Sequence, residues 1–426
     1  MKKLNDTCLL FFCITTLAFG QGLPMTAPED AGFSPEHLER IRPMLQDYVD
    51  TENLPGFLTV IARRGKIVHF ETVGMRDIEN EKPVEPDTIF RIYSMSKPIT
   101  SVAVMMLYEE GRFQLDTPVS RFIPEFGNMK VYNEDQTEIS DAEKEMTIKH
   151  LLTHTAGLTY GWGSKPVDER YKALKMSGAS ATLVDMAKTL GDIPLVHEPG
   201  ERWTYGVSTD VLGYLVEVVS EMPFEEFLQT RIFGPLGMVD TAFSIPLEKR
   251  DRFAALYTFS KDSGLERVGK KADADGEFTF FPSGGGGLVS TAADYMRFSQ
   301  MLLNGGELEG VRILDKETVE LMRYPHHEGW FGLGFSVVND KKSDDEDDED
   351  HKKDLDDKGD KDDEGDKESK DTPESVGSFS WSGAAATIFW IDPVEEVVGV
   401  LMTQIHNNPY PFQQRFKALT YQALTK

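Results

Sequence analysis

Ser94-Met95-Ser96-Lys97 sets a hydroxyl and an amine three residues apart at the start of an apolar run, Pro98 to Glu110. On a helix, residues at that separation share a face, so Ser94 and Lys97 point into one site. A serine hydroxyl attacks a carbonyl only when a neighbour takes its proton, and a lysine held neutral can do so. The helix N-terminus adds partial positive charge and unpaired N–H groups beside the serine. The spacing suits acyl transfer through a serine. It also suits an ordinary helix start, with Ser as cap, Lys exposed and Pro98 in the first turn. Roughly one or two S-x-x-K strings arise by chance in a chain of this length.

Tyr205 is a second candidate. It lies in Pro199-Gly200-Glu201-Arg202-Trp203-Thr204-Tyr205-Gly206-Val207, just before a helical pattern from Asp210 to Ser220. A phenol releases its proton only near pH 10 unless a cation lies beside it, and Lys97 is an available cation. The third candidate is Trp381-Ser382-Gly383-Ala384 on a late strand pattern. A glycine there lets a ligand approach the backbone closely, and the N–H of Ala384 would then face a substrate carbonyl. Taken singly, Tyr205 also reads as an ordinary amphipathic tyrosine and Gly383 as a bend in a strand.

The elements that must position these residues follow from periodicity. A helical pattern covers Pro35 to Asp50, and Gly56–Ala62 with Lys66–Val73 reads as a hairpin turning at Arg64-Gly65. Helices are predicted for Thr147–His154, Thr182–Leu190, Asp210–Ser220, Phe224–Ile232, Thr291–Asn304 and Phe412–Leu424. Strands are predicted for Gly332–Val338, Ser378–Ile391 and Val397–Gln404, and Gly284–Gly287 reads as a flexible turn. Strands and a helix at each chain end with a helical block between them predict an α/β fold of the α+β type. Its antiparallel sheet would be flanked by N- and C-terminal helices and interrupted by a mainly helical insertion. The expected division is a sheet domain from 21–92 and 284–426 and a helical domain from 93–283.

The order S-x-x-K, then Tyr, then W-x-G resembles the serine hydrolases related to class C β-lactamases and penicillin-binding proteins. The resemblance runs over nearly the whole chain after residue 20. "DTIFRIYSMSKP" (Asp87–Pro98), "LLTHTAGL" (Leu151–Leu158), Pro199–Leu212, "IFGPLGM" (Ile232–Met238), "GGGGLVSTAADY" (Gly284–Tyr295) and "FGLGF" (Phe331–Phe335) occur in the family's order. The resemblance implies a β-lactamase/transpeptidase-like fold, Ser94 as nucleophile, and Lys97 with Tyr205 as the proton-handling pair. It implies an oxyanion hole from the backbone N–H groups of Ser94 and Ala384. It gives His154 a structural role in a turn.

Two departures bear on substrate. Family members that act on β-lactams or D-alanyl peptides commonly have Tyr-x-Asn and Lys-Thr-Gly, whose Asn and Lys hold the substrate amide and carboxylate. Here those positions are Val207, which has no side-chain hydrogen bond to offer, and Trp381, which offers an aromatic wall without charge. With Ser382 and Gly383, they predict an apolar pocket, the pattern of the family VIII esterases. The expected activity is ester hydrolysis through an acyl-enzyme on Ser94, without metal or cofactor. The alternatives are a β-lactamase or D-amino-acid peptidase, and a non-catalytic peptidoglycan-binding module. Neither HExxH nor G-x-S-x-G occurs, which argues against a zinc hydrolase and an α/β-hydrolase.

The N-terminus reads as a cleavable export signal: Lys2 and Lys3, an apolar core from Leu9 to Leu17, and Ala18-Phe19-Gly20 before a cut ahead of Gln21. Both cysteines, Cys8 and Cys13, lie inside it, so the exported chain would carry no disulfide or thiolate chemistry. The expected location is a periplasm or the extracellular space. A net charge of −27 argues against nucleic acid and anionic membranes as partners, and no later apolar run approaches the about eighteen residues of a span. The charge concentrates in 339–375, where Asp340–Glu374 holds 19 acidic and 8 basic residues. That tract is predicted to be a disordered insertion, with weak cation binding as a polyanion. Asp360, Asp362, Glu364, Gly365 and Asp371 echo an EF-hand loop, but its fifth and twelfth positions are unsuitable and no helices flank it.

Overall fold

The computed structural model describes residues 22–172, 174, 182–269, 278–279, 281–339 and 373–425. The signal reading at 1–20 and nearly all of the acidic insertion, with its cation reading, lie outside the described residues.

The chain begins with helices α1 (Pro35–Leu38) and α2 (Ile41–Asp50) and then forms strands β1 (Gly56–Arg63), β2 (Lys66–Asp77) and β3 (Lys82–Pro83). Helix α3 (Ser96–Glu109) follows, then a block rich in short helices containing α4 (Ser208–Ser220), and then α5 (Ala292–Leu303). Strands β4 (Ser336–Val337), β5 (Phe379–Ser382), β6 (Ile388–Asp392) and β7 (Val397–Met402) and helix α6 (Phe412–Gln422) close the chain. The seven strands form one antiparallel sheet in the order β4-β5-β6-β7-β1-β2-β3. The first and last strands of this sheet in chain order thus meet at its centre, where Leu58 pairs with Met402 and Ala62 with Val398.

Every residue of β1 is buried because both faces of the sheet are covered. Alternate residues serve opposite cores, as the period of two requires. Phe57 and Ile61 pack with Phe412 and Phe416 of α6, while Leu58, Val60 and Ala62 join α3 and α5 on the other face. No helix among the described residues is long and apolar enough to cross a membrane.

Four local expectations are corrected. Pro35–Asp50 is two helices, because Pro43 has no N–H to donate and is accommodated only in the first turn of a restarted helix at Ile41. Ser378–Ile391 is a hairpin, β5 and β6, in which Gly383 N donates to Thr387 O at 2.8 Å and Ala386 takes a left-handed φ of 61°. Ala384 therefore lies in the turn that follows β5. Gly332–Val338 contributes only Ser336–Val337 to the sheet. Gly334, at φ 100°, folds the preceding loop onto α3, and a Cβ there would meet Ser101 Oγ at 2.1 Å. Gly284–Gly287 is a packed turn, with Thr100 Oγ1 donating to Gly284 O at 2.8 Å; a Cβ on Gly284 would meet Thr209 O at 2.5 Å.

Candidate active site

Ser94 sits in a short 3-10 turn, Tyr93–Met95, that leads into α3. Tyr93 has φ 42°, a left-handed conformation that a tyrosine adopts only under tertiary constraint. Several contacts supply that constraint. Met95 O accepts from Tyr295 Oη at 2.9 Å, Ile92 N donates to Leu288 O at 3.1 Å, and Gly383 crowds Ile92. A Cβ on Gly383 would lie 2.4 Å from Ile92 O, so only glycine lets the β5–β6 turn close on the Ser94 turn.

Lys97, in the first turn of α3, is wholly buried. Its Nζ donates to Ser94 Oγ at 3.2 Å, to Tyr160 Oη at 2.9 Å and to Gly285 O at 2.7 Å. Three acceptors match the three donors of an ammonium. The cation also lies 4.5 Å from the centre of the Tyr205 ring. Tyr205 Oη is bonded to Ser94 Oγ at 2.7 Å. Ser94 and Lys97, three residues apart, therefore meet Tyr205, which lies 111 residues beyond Ser94.

Tyr205 is held inside a shell of rings. Trp203 stacks on it at 5.8 Å and 13°, and His154, Tyr160, Trp381 and Trp162 surround it with centroids 5.1, 5.2, 5.7 and 5.9 Å away. Phe331, from the loop folded by Gly334, packs edge-on to Trp381 at 5.4 Å. Trp162 is 66% exposed and stacks on Tyr160 at 4.8 Å, so it stands at the outer margin of the shell. The indole N–H groups of Trp203 and Trp381 are buried without a partner among the described residues.

His154 takes φ 54°, and its carbonyl accepts from Thr204 N at 2.8 Å, which ties the turn to the Tyr205 segment. Burial, and then the Lys97 charge, hold its imidazole well below the usual histidine range. The ring is thus a neutral packing surface behind Tyr205. Trp381 packs against the Tyr205 ring, Ser382 and Ala384 are exposed beside it, and Gly383 is buried. Val207 is different. It is 1% exposed and packs within the apolar core at the start of α4.

Two residues were not singled out in the sequence. Tyr160 follows the "HTAGL" block by two positions and supplies an oxygen to Lys97. Burial, then Asp210, then Tyr205 push its phenol well above the ordinary value, so it stays protonated. Asp210, in the first turn of α4, is buried under the site and accepts from Ser283 Oγ and from Gly285 N at 3.1 Å. In sequence it reads as one more acidic residue at a helix N-terminus.

Comparison with known proteins agrees with this geometry. The sequence profile of the Beta-lactamase family matches residues 41–423. Protein Rv1367c of Mycobacterium tuberculosis (strain ATCC 25618 / H37Rv) is 32% identical over 385 residues, covering 84% of this chain and 88% of that protein. Esterase EstB of Burkholderia gladioli is 30% identical over 265 residues, covering 57% of this chain and 64% of EstB. The solved structure of EstCE1, described as a hydrolase with promiscuous acyltransferase activity, superposes with a TM-score of 0.71 at 25% identity, over 91% of this chain and 98% of that one. With its sheet built from both chain ends and a match over most of its length, the chain belongs to the Beta-lactamase family.

Proposed function

We propose that this protein is an exported carboxylic-ester hydrolase that works through an acyl-enzyme on Ser94. The carrying observation is Ser94 Oγ held at 2.7 Å from Tyr205 Oη and 3.2 Å from Lys97 Nζ, beneath aromatic walls. In the first half-reaction Ser94 Oγ bonds to the ester carbonyl carbon as its proton passes to the Lys97–Tyr205 pair. The carbonyl oxygen becomes an oxyanion facing the N–H groups of Ser94 and Ala384, donors worth about 2.7–4 kcal/mol each where one has been removed elsewhere. The intermediate collapses, the C–O bond to the alcohol breaks, and the alcohol leaves with the proton. Water then attacks the acyl carbon, gives its proton to the same pair, and Ser94 recovers it as the carboxylic acid departs.

Support for an ester over a β-lactam is chemical. The Trp381 side presents a ring with no charge for a substrate carboxylate, and Val207 is sealed in the core where other family members have an amide side chain. EstB is named an esterase, and EstCE1 a hydrolase, which fits this reading. Short p-nitrophenyl esters should be hydrolysed with kcat/KM well above that for a chromogenic cephalosporin. A clear preference for the cephalosporin would replace the ester reading with the β-lactamase one. Export is tested separately: N-terminal sequencing of the secreted protein should begin at Gln21, and retention of Met1 would contradict it.

A further inference from the structure

Lys97 is a buried cation whose three hydrogen-bond partners are all neutral. A charge so placed is costly unless another charge lies close enough to compensate it. Asp210 is such a group. It is fully buried, and its Oδ1 accepts from Gly285 N at 3.1 Å and from Ser283 Oγ. Its Oδ2 has no partner among the described residues. Gly285 joins the two charges, since its carbonyl accepts from Lys97 Nζ while its N–H donates to the carboxylate. A Cβ on Gly285 would lie 2.6 Å from Asp210 Oδ2 and 3.0 Å from Tyr160 Oη, so the glycine lets carboxylate, phenol and cation gather around one residue.

We propose that Asp210 is a buried anionic positioning residue that acts across Gly285 on the Lys97–Tyr205 pair and sets the pH at which the pair takes the Ser94 proton. The inference rests on Ser94 being the nucleophile and adds the anion that tunes the pair. The ionisable groups around it fit that role. Lys97 is the cation it faces, burial and then Asp210 keep the Tyr160 phenol protonated, and burial keeps His154 neutral beside Lys97. Burial raises the Asp210 carboxyl, while Lys97, Ser283 and Gly285 oppose that rise.

A purely structural carboxylate, holding the Ser283–Gly285 turn, would be replaced well by asparagine, whose carbonyl accepts the same two bonds. Asp210→Asn removes only the charge. The readout is the rate at which a fluorophosphonate labels Ser94 as a function of pH, which needs an active nucleophile but no particular natural substrate. With the anion gone, protons near the site leave at lower pH, so the whole profile of Asp210→Asn should move by about one unit toward acid. The optimal rate should fall about tenfold or more. A profile that keeps its position, with or without a lower rate, overturns the proposal. Should Asp210→Asn fail to fold, Asp210→Ser, which also removes the charge, should shift the profile the same way, and an unmoved profile overturns the proposal there too. Wild type that labels but does not cleave esters breaks only the substrate reading; wild type that does not label removes both.

Discussion

The two faces of the central sheet treat buried ionisable groups differently. On the face covered by α1, α2 and α6, each is neutral or fully paired. His69 bonds Thr59 Oγ1 at 2.9 Å, and burial holds its imidazole down at about 4. Asp392 accepts from the backbone of Ser375, Val394 and Glu395 and from Tyr421 Oη, and Lys417 pairs with Glu374. On the face covered by α3, α4 and α5, Lys97 has only neutral partners, Asp210 keeps a bare oxygen, and His154 Nδ1 has no partner among the described residues. Satisfied polar groups stabilise a fold. Unsatisfied ones store electrostatic capacity that a reacting substrate can use.

Separating activity from stability is the way to break this comparison. The largest effect is expected at the site. Ser94→Ala should lower ester turnover by at least about a thousandfold and Tyr205→Phe by about a hundredfold or more, with melting temperatures close to wild type. A large loss of stability in either variant would make the site part of the structural core. On the opposite face the pattern should invert. Trp390, whose ring lies across Gly399 on β7, is wholly buried. Trp390→Ala should cost about 3–5 kcal/mol in denaturant melts while leaving turnover per folded molecule intact.

The smallest effect is a pH dependence of stability from His69. Its folded value of about 4 lies below the 6.5 of the free side chain. As pH falls below about 6.5 the unfolded chain takes up the proton first, so stability is lost between about 6.5 and 4 and levels off below. The contribution is about 3 kcal/mol at most. His69→Gln should flatten that part of the stability profile without moving the pH profile of Ser94 labelling. Movement of the labelling profile would mean that the two faces are coupled.

Legibility in the sequence followed the range of each interaction. Ser94 and Lys97 share one helical turn, so spacing alone paired them, and the order of matching blocks brought in Tyr205. The sheet was legible because strand patterns at both chain ends needed each other to bury their apolar residues. Tyr160 and Asp210 were not legible. A tyrosine in a loop and an acid in the first turn of a helix have ordinary local explanations. Their roles depend on Gly285, which lies 188 residues beyond Lys97 and 75 beyond Asp210. The depth at which Val207 is packed was not legible either, because sequence does not say which way a residue before a helix faces. The hairpin at Gly383–Thr387 was missed because alanines carry no turn signal.

The sequence by itself determined the pairing of Ser94 with Lys97, the apolar strands and the lack of an amide at Val207 and of a charge at Trp381. These are set by residue type and short-range geometry. Only the tertiary structure decided which groups are electrically coupled. Coupling between charges depends on distance and on how thoroughly water is excluded, and both arise when α3, α4 and the glycine turn at 284–287 close around the same few ångströms.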